Sequence, residues 1–198
     1  MEPTGKAGIR RQCAEKRNAL TDRYITEAGQ RITEAVLASP DFTDARTVFC
    51  YVSTPREPDT RTLITEALSR GKTVCVPRCT GKGRMEAVRI RSLRDLEEGA
   101  YGIPEPKNGS EAVRKDIIDL CLIPCVSADP EGRRLGHGGG YYDRFLSGIH
   151  AKKICLCFDS MMSARLPEEP YDVRADRVVT ECGMYRAADR ASEQSGNT

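Results

Sequence analysis

The spacing of apolar residues changes period along the chain, and the changes mark its elements. Ile9, Cys13 and Ala14 form a thin apolar stripe among Arg10, Arg11, Lys16 and Arg17, which predicts a first helix. Thr21 is placed to cap a second helix, in which Ile25, Ala28, Ile32, Ala35, Val36 and Leu37 keep the 3.6 period until Ser39-Pro40 stops it. Short apolar runs follow at 47–52, 73–76, 117–126 and 154–158, the pattern of strands buried on both faces. Between the first two lies an amphipathic helix over 60–70, with Leu63, Ile64, Ala67 and Leu68 inward and Gly71 at the left-handed cap position. Residues 85–90 alternate as a strand, and 178–180 read as a late edge strand.

This alternation predicts an α/β fold: a single open, mostly parallel sheet with helices on both faces, three-layered and Rossmann-like. Residues 1–186 read as one domain. The Gly/Pro-rich stretch 99–110 reads as a surface loop, and the small, polar residues 187–198 as a frayed, disordered tail.

Composition narrows the partners. With 39% hydrophobic residues the chain can form a core, and 31 Lys+Arg against 29 Asp+Glu leave a net charge of only +2. So small a charge gives no strong steering toward nucleic acid or membrane. Only 8 of the 31 cations are Lys, and Arg suits bidentate capture of phosphate or carboxylate. Nine Cys cannot all pair, no apolar leader follows Met1, and no stretch is long enough to span a bilayer. These features predict a cytoplasmic protein whose thiols are small core residues. The spacings Cys75/Cys79, Cys121/Cys125 and Cys155/Cys157 are not zinc knuckles.

Chemistry concentrates in the segment from Arg134 to Arg144, which follows the third apolar run through a turn at 129–132. Four of the five residues 136–140 are glycine, so backbone N–H groups can close on an anion without a Cβ in the way. Residues 141–149 read as a helix, placing the glycines at its N-terminus. The loop is neither a Walker A sequence nor the dinucleotide fingerprint, because no Lys-Ser or Lys-Thr follows Gly140 and Tyr141 replaces the third glycine. Spacing alone leaves Asp143 open between holding Mg²⁺ against phosphates and complementing the helix dipole. A second cluster, residues 52–60, leaves the first strand at its C-terminal end, the usual ligand position of an open α/β sheet. There Asp59 or Thr60 can cap the next helix, whereas Glu57 has no evident capping role.

Taken in order, these residues resemble the 5-formyltetrahydrofolate cyclo-ligase (5,10-methenyltetrahydrofolate synthetase) family. The resemblance runs through Lys6-x-x-Ile-Arg10, Glu57-Pro-Asp-Thr60, Gly102-Ile-Pro-Glu-Pro106, the 119–124 run, the Arg134–Arg144 block, Leu166-Pro167 and Asp172. The glycine block is the specific motif. The resemblance implies ATP-driven closure of 5-formyltetrahydrofolate to 5,10-methenyltetrahydrofolate, with release of ADP and phosphate. It implies Lys6, Arg10 and the run Arg134, Leu135, Gly136, His137, Gly138, Gly139, Gly140, Tyr141 and Tyr142 around ATP. Asp143 and Asp172 would hold Mg²⁺. Val52, Glu57 and Tyr101 would meet the folate on one side, with His137, Gly138, Gly139, Gly140 and Tyr141 on the other. Arg134, Arg144 and Glu57 are the expected catalytic residues. Some family members carry Lys between the last two glycines; here the position is Gly139, so Arg144 or Arg134 would have to replace that charge. The expected partners are these small molecules, with no nucleic acid or membrane and a monomeric chain. Two other readings are an inactive folate- or nucleotide-binding paralogue, opposed by the retained site residues, and an RNA-binding module, opposed by the near-zero net charge.

Overall fold

A computed structural model describes residues 5–99 and 102–187, and everything structural below concerns these residues. Helices α1 (Gly5–Ala19) and α2 (Asp22–Leu37) open the chain, and Thr21 accepts the Tyr24 N–H as the α2 cap. Ser39-Pro40 stops α2 and also starts a short helix α3 (Pro40–Asp44): Ser39 accepts the Phe42 N–H, and Pro occupies the first turn, where its missing N–H is no loss. Strand β1 (Thr47–Cys50) then leads through a loop into α4 (Arg61–Ser69) and β2 (Thr73–Gly81). Gly71 lies at φ 72, and Gly71 N and Lys72 N close back on Leu68 O and Ala67 O.

Strand β2 turns through Lys82 into β3 (Arg84–Ile90), and β4 (Leu96–Glu98), β5 (Pro104–Pro106) and β6 (Ala112–Val113) follow. The stretch expected to be only a surface loop therefore contains β5, which pairs antiparallel with β4. Next come β7 (Leu120–Pro124), β8 (Ser127–Ala128), β9 (Arg134–Leu135), α5 (Tyr141–Leu146), β10 (Lys152–Leu156), β11 (Arg177–Thr180) and β12 (Gly183–Arg186). The run at 117–126 is shorter as a strand than its apolar content suggests. The Asp119 carboxylate turns toward Arg46 N and Thr47 N, each at 2.8 Å, and Ile117 is exposed.

The main sheet has eight strands in the order β12-β11-β10-β7-β1-β2-β3-β6. Strands β11, β10, β7, β1 and β2 run parallel, and β12, β3 and β6 add antiparallel edges. From β1 the chain moves one way across the sheet to β2, and later the other way from β7 to β10. Right-handed crossovers in opposite directions put α4 and α5 on opposite faces. The adjacent C-terminal ends of β1 and β7 thereby form the switch point where open α/β sheets bind ligands. The core centres on Val48, Phe49, Leu120, Leu122, Ile123, Ile154 and Leu156, with Phe145 of α5 stacked on Phe49 at 4.5 Å.

Seven of the nine cysteines are buried and all are free; Cys79 is half-buried and Cys182 exposed. No His/Cys/Asp/Glu group able to hold a metal by itself occurs among the described residues, and no described helix is long and apolar enough to cross a membrane. Tyr101 and residues 188–198 of the expected tail lie outside the described residues. Ala187, counted with that tail in the sequence reading, donates its N–H to Asp176 O.

Candidate functional site

The two segments singled out in the sequence leave the two switch-point strands. After β1, Tyr51 N donates to Leu122 O, so the chain stays beside β7 before turning away. A dense set of hydrogen bonds closes the loop: Ser53 N to Thr60 Oγ1, Thr60 N to Ser53 Oγ, and Thr60 Oγ1 to Tyr51 O. Thr60 is thus spent inside the loop, while Asp59 Oδ1 takes the first free amide of α4, that of Arg61. Glu57 is only 9% exposed, and its Oε2 accepts Thr54 N at 2.8 Å. This short-range fold-back was not legible in the sequence, because it depends on the turn at 54–57.

After β7, β8 and β9 pair across the 129–132 turn, with Gly132 at φ 79. The buried Asp129 carboxylate accepts the amides of Glu131, Arg133 and Leu166 and the Arg133 guanidinium. Arg133 also pairs with Glu131 and Glu168. Sequence reasoning missed this hub. Its only signal was the adjacency of Asp129, Glu131 and Arg133, common in solvated turns.

The glycine loop is strapped from both ends. Arg10 Nε of α1 donates to Gly136 O at 2.7 Å. Arg144 Nη1 of α5 donates to Gly139 O at 2.9 Å and to Gly83 O, in the β2–β3 turn, at 3.1 Å. Gly138 and Gly140 hold φ of 98 and 67, which only glycine adopts readily. Helix α5 ends at Leu146, earlier than its apolar pattern suggests, because Ser147 leaves the helix and Gly148 turns at φ 76. Six residues carry little macrodipole, so cations and backbone amides must supply the attraction for an anion.

Arg134 lies at the centre. Its side chain is 3% exposed, its Nη2 donates to Asp143 Oδ1 at 2.7 Å, and its guanidinium lies 6.0 Å from the Tyr142 ring centre. Its Nε is buried without a hydrogen-bond partner among the described residues. Tyr142 also meets Phe49 edge-on. Burial, and then the Glu57 charge, push the Tyr142 hydroxyl well above its ordinary value, so it stays protonated.

Asp172 arrives on the segment before β11. Its Oδ2 accepts Lys6 Nζ at 2.5 Å and Glu169 N at 2.8 Å, and Lys6 Nζ also donates to Glu169 Oε2 at 2.8 Å. Burial pulls the Lys6 ammonium downward most strongly. Its bonds to Asp172 and Glu169 together outweigh that pull and raise it above its ordinary value. Asp143 and Asp172 line one cavity of about 1130 Å³ with Gly140, Arg144 and Tyr171. Val52 opens on another, of about 340 Å³, with Leu93, Leu96, Gly102 and Pro104. The structure therefore brings Lys6 to Asp172, Arg134 to Asp143 and Arg10 to the glycine loop. It puts Val52 in a different cavity, on the side of the Gly102 loop. Leu135 is buried at the end of β9, just before the glycine loop, and His137 is exposed on the loop.

Part of the arginine excess is taken up by ion pairs: Arg61, Arg78, Arg114, Arg133, Arg134, Arg174 and Arg177 each contact a carboxylate.

The model of the 5-formyltetrahydrofolate cyclo-ligase family matches residues 3–181. A probable 5-formyltetrahydrofolate cyclo-ligase of Caenorhabditis elegans is 36% identical over 180 residues, covering 82% of this chain and 87% of the relative. The 5-formyltetrahydrofolate cyclo-ligase of Escherichia coli is 30% identical over 177 residues, covering 86% and 97%. The solved 5,10-methenyltetrahydrofolate synthetase of Aquifex aeolicus superposes with a TM-score of 0.83 at 30% identity, covering 93% of each chain.

Proposed function

The chain belongs to the 5-formyltetrahydrofolate cyclo-ligase family, and on that premise we propose how its two cavities divide the reaction. The activity is ATP-dependent conversion of 5-formyltetrahydrofolate to 5,10-methenyltetrahydrofolate. In our reading ATP lies along residues 136–140, with Arg134, Arg10 and Lys6 toward its phosphates, and the folate enters from the side of Val52 and Glu57. The observation that carries this division is Tyr142, packed edge-on against Phe49 at the switch point with the Arg134 guanidinium 6.0 Å from its ring centre.

A formamide is a poor electrophile, so its oxygen must become a leaving group. The formyl oxygen attacks the γ-phosphorus and ADP departs, leaving an imidate-like phosphate at N5. N10 then attacks that carbon, and loss of phosphate and of the N10 proton completes the methenyl bridge. Such phosphoryl transfer needs positioning and charge neutralisation more than a protein nucleophile. Arg134 contributes a desolvated cation already fixed by Asp143, which is worth more there than in water. Arg144 engages the Gly139 carbonyl, so that this part of the loop is fixed by a cation while its amides remain for phosphate oxygens. Glu57 accepts N–H groups of the pterin through the oxygen that Thr54 leaves spare.

The donor set fits Mg²⁺. Asp143 and Asp172 offer hard oxygens into one cavity, and Mg²⁺ characteristically takes one or two carboxylates and completes its shell with phosphate oxygens and water. When bound, the ion neutralises charge on the transferring phosphate. The nine free thiols suit a reducing compartment, and we place the protein in the cytoplasm as a monomer, with residues 1–186 as one domain. Incubation with 5-formyltetrahydrofolate, ATP and Mg²⁺ tests the whole reading. Methenyl chromophore should appear with one ADP per turnover, whereas tight folate binding without product would make the protein a binder.

A further inference from the structure

Both carboxylates assigned to the metal are held in the same way. In Asp143, Oδ1 takes two donors, Arg134 Nη2 at 2.7 Å and Val173 N at 3.1 Å. In Asp172, Oδ2 takes two donors, Lys6 Nζ at 2.5 Å and Glu169 N at 2.8 Å. The other oxygens, Asp143 Oδ2 and Asp172 Oδ1, make no hydrogen bond among the described residues. One cation and one backbone amide thus fix one oxygen of each carboxylate and leave the second for a ligand. Both amides come from the segment 169–173, so α1, α5, β9 and this segment are joined through the two side chains.

We propose that Lys6 and Arg134 are positioning residues for the metal carboxylates, and that their charges make metal binding conditional on the nucleotide. The inference rests on the metal reading above. Each carboxylate's charge is already met by a cation in direct contact, so a bare divalent ion gains little from the pair and is repelled by Lys6 and Arg134. A metal that arrives with phosphate brings negative charge for both cations, and the spare oxygens complete its shell. Lys6 Nζ is shared between Asp172 and the exposed Glu169, so it can turn toward phosphate by leaving Glu169 while keeping its carboxylate. Metal and nucleotide therefore enter as one unit, each raising the affinity for the other by the same factor, as linkage requires.

The test is a Mn²⁺ titration followed by electron paramagnetic resonance, with and without a non-hydrolysable ATP analogue. For the unmodified protein the analogue should strengthen Mn²⁺ binding, beyond its own chelation, by about 5- to 150-fold. Lys6→Met should bind Mn²⁺ more tightly without nucleotide, by about fivefold or more, and lose a matching part of the coupling. Lys6→Gln should behave alike, and thermal melting checks that both fold. Nucleotide-free Mn²⁺ affinity unchanged in both folded variants overturns the proposal. Asp172→Asn separates the two claims. It should abolish the nucleotide-dependent Mn²⁺ site, and if it leaves that site intact the metal assignment falls, and this inference with it.

Discussion

Arg144 and Gly83 meet across two elements: Nη1 of the arginine on α5 donates to Gly83 O in the β2–β3 turn at 3.1 Å. A Cβ on Gly83 would lie 2.0 Å from that nitrogen, and Gly83 holds φ 70. Gly83→Ala therefore strains the turn by roughly 1–2 kcal/mol and pushes Arg144 off its two carbonyls. The expected result is a modest loss of thermal stability, with a several-fold rise in the KM for ATP and little change in the KM for folate. Equal rises in both would mean that Arg144 does not organise the nucleotide side in particular.

Removing Asp143 should cost more than its metal role alone. Asp143→Ala leaves Arg134, buried and with Nε already unpartnered, without its carboxylate. An uncompensated buried cation is destabilising on the order of 3 kcal/mol, the low end applying because Asp143 is partly exposed. Asp143→Asn keeps an acceptor for Arg134 and Val173 and should lose far less stability. Both variants should lose most turnover. Urea unfolding beside single-turnover assays separates the two effects, and an active Asn variant would take Asp143 out of the metal site.

Glu57 offers a similar split. Its Oε2 holds the Thr54 amide, so Glu57→Ala opens the turn as well as removing the folate contact. Glu57→Gln keeps an acceptor for Thr54 and loses the charge. Folate affinity should fall in both, with ATP affinity little changed in the Gln variant. Isothermal titration with each ligand decides it, and undiminished folate binding by Glu57→Gln would place the pterin elsewhere.

Much of this was legible in the chain because it follows from local pattern. The α2 cap at Thr21, the left-handed Gly71 and the parallel strands all depend on near neighbours or on continuous apolar runs. The pairings that make the site were not legible. Lys6 and Asp172 are 166 residues apart, and nothing local marks them as partners. Gly139 shows the same limit. A Cβ there would lie 2.8 Å from the Tyr141 ring, so lysine at this position requires the ring to move, a constraint invisible from spacing. The short strands β8, β9 and β12 escaped because two to four residues carry too little periodicity.

The thiols give a fourth expectation. Cys182 alone is exposed, and partial desolvation with the charges of Asp159 and Glu181 keeps its thiol above the ordinary value. Burial, then Glu105, pushes Cys79 up to about 11. An aromatic disulfide reagent at pH 8 should therefore modify one thiol readily in the native protein and the rest only in denaturant. Cys182→Ser should abolish the fast phase.

The pH dependence of stability should have two arms with separate causes. On the acid side, the hydrogen bond from Arg174 holds the Glu168 carboxyl below its ordinary 4.5, aided by the charges of Arg174 and Arg133. A depressed carboxyl contributes stability that is present above its unfolded value and lost as pH falls through its folded one. The loss should begin near 4.5 and deepen below it, loosening the Arg133 hub that carries the glycine loop. On the alkaline side, burial raises the thiols of Cys50, Cys75 and Cys121, the last up to about 12. Raised groups contribute stability that is present below their unfolded value and lost as pH rises toward their folded one, so the decline should begin near 9. Urea midpoints measured from pH 3 to 10 should therefore show a plateau between these limits. Glu168→Gln should lower the plateau and flatten only the acid arm; an acid arm as steep as before would assign that loss to other carboxylates.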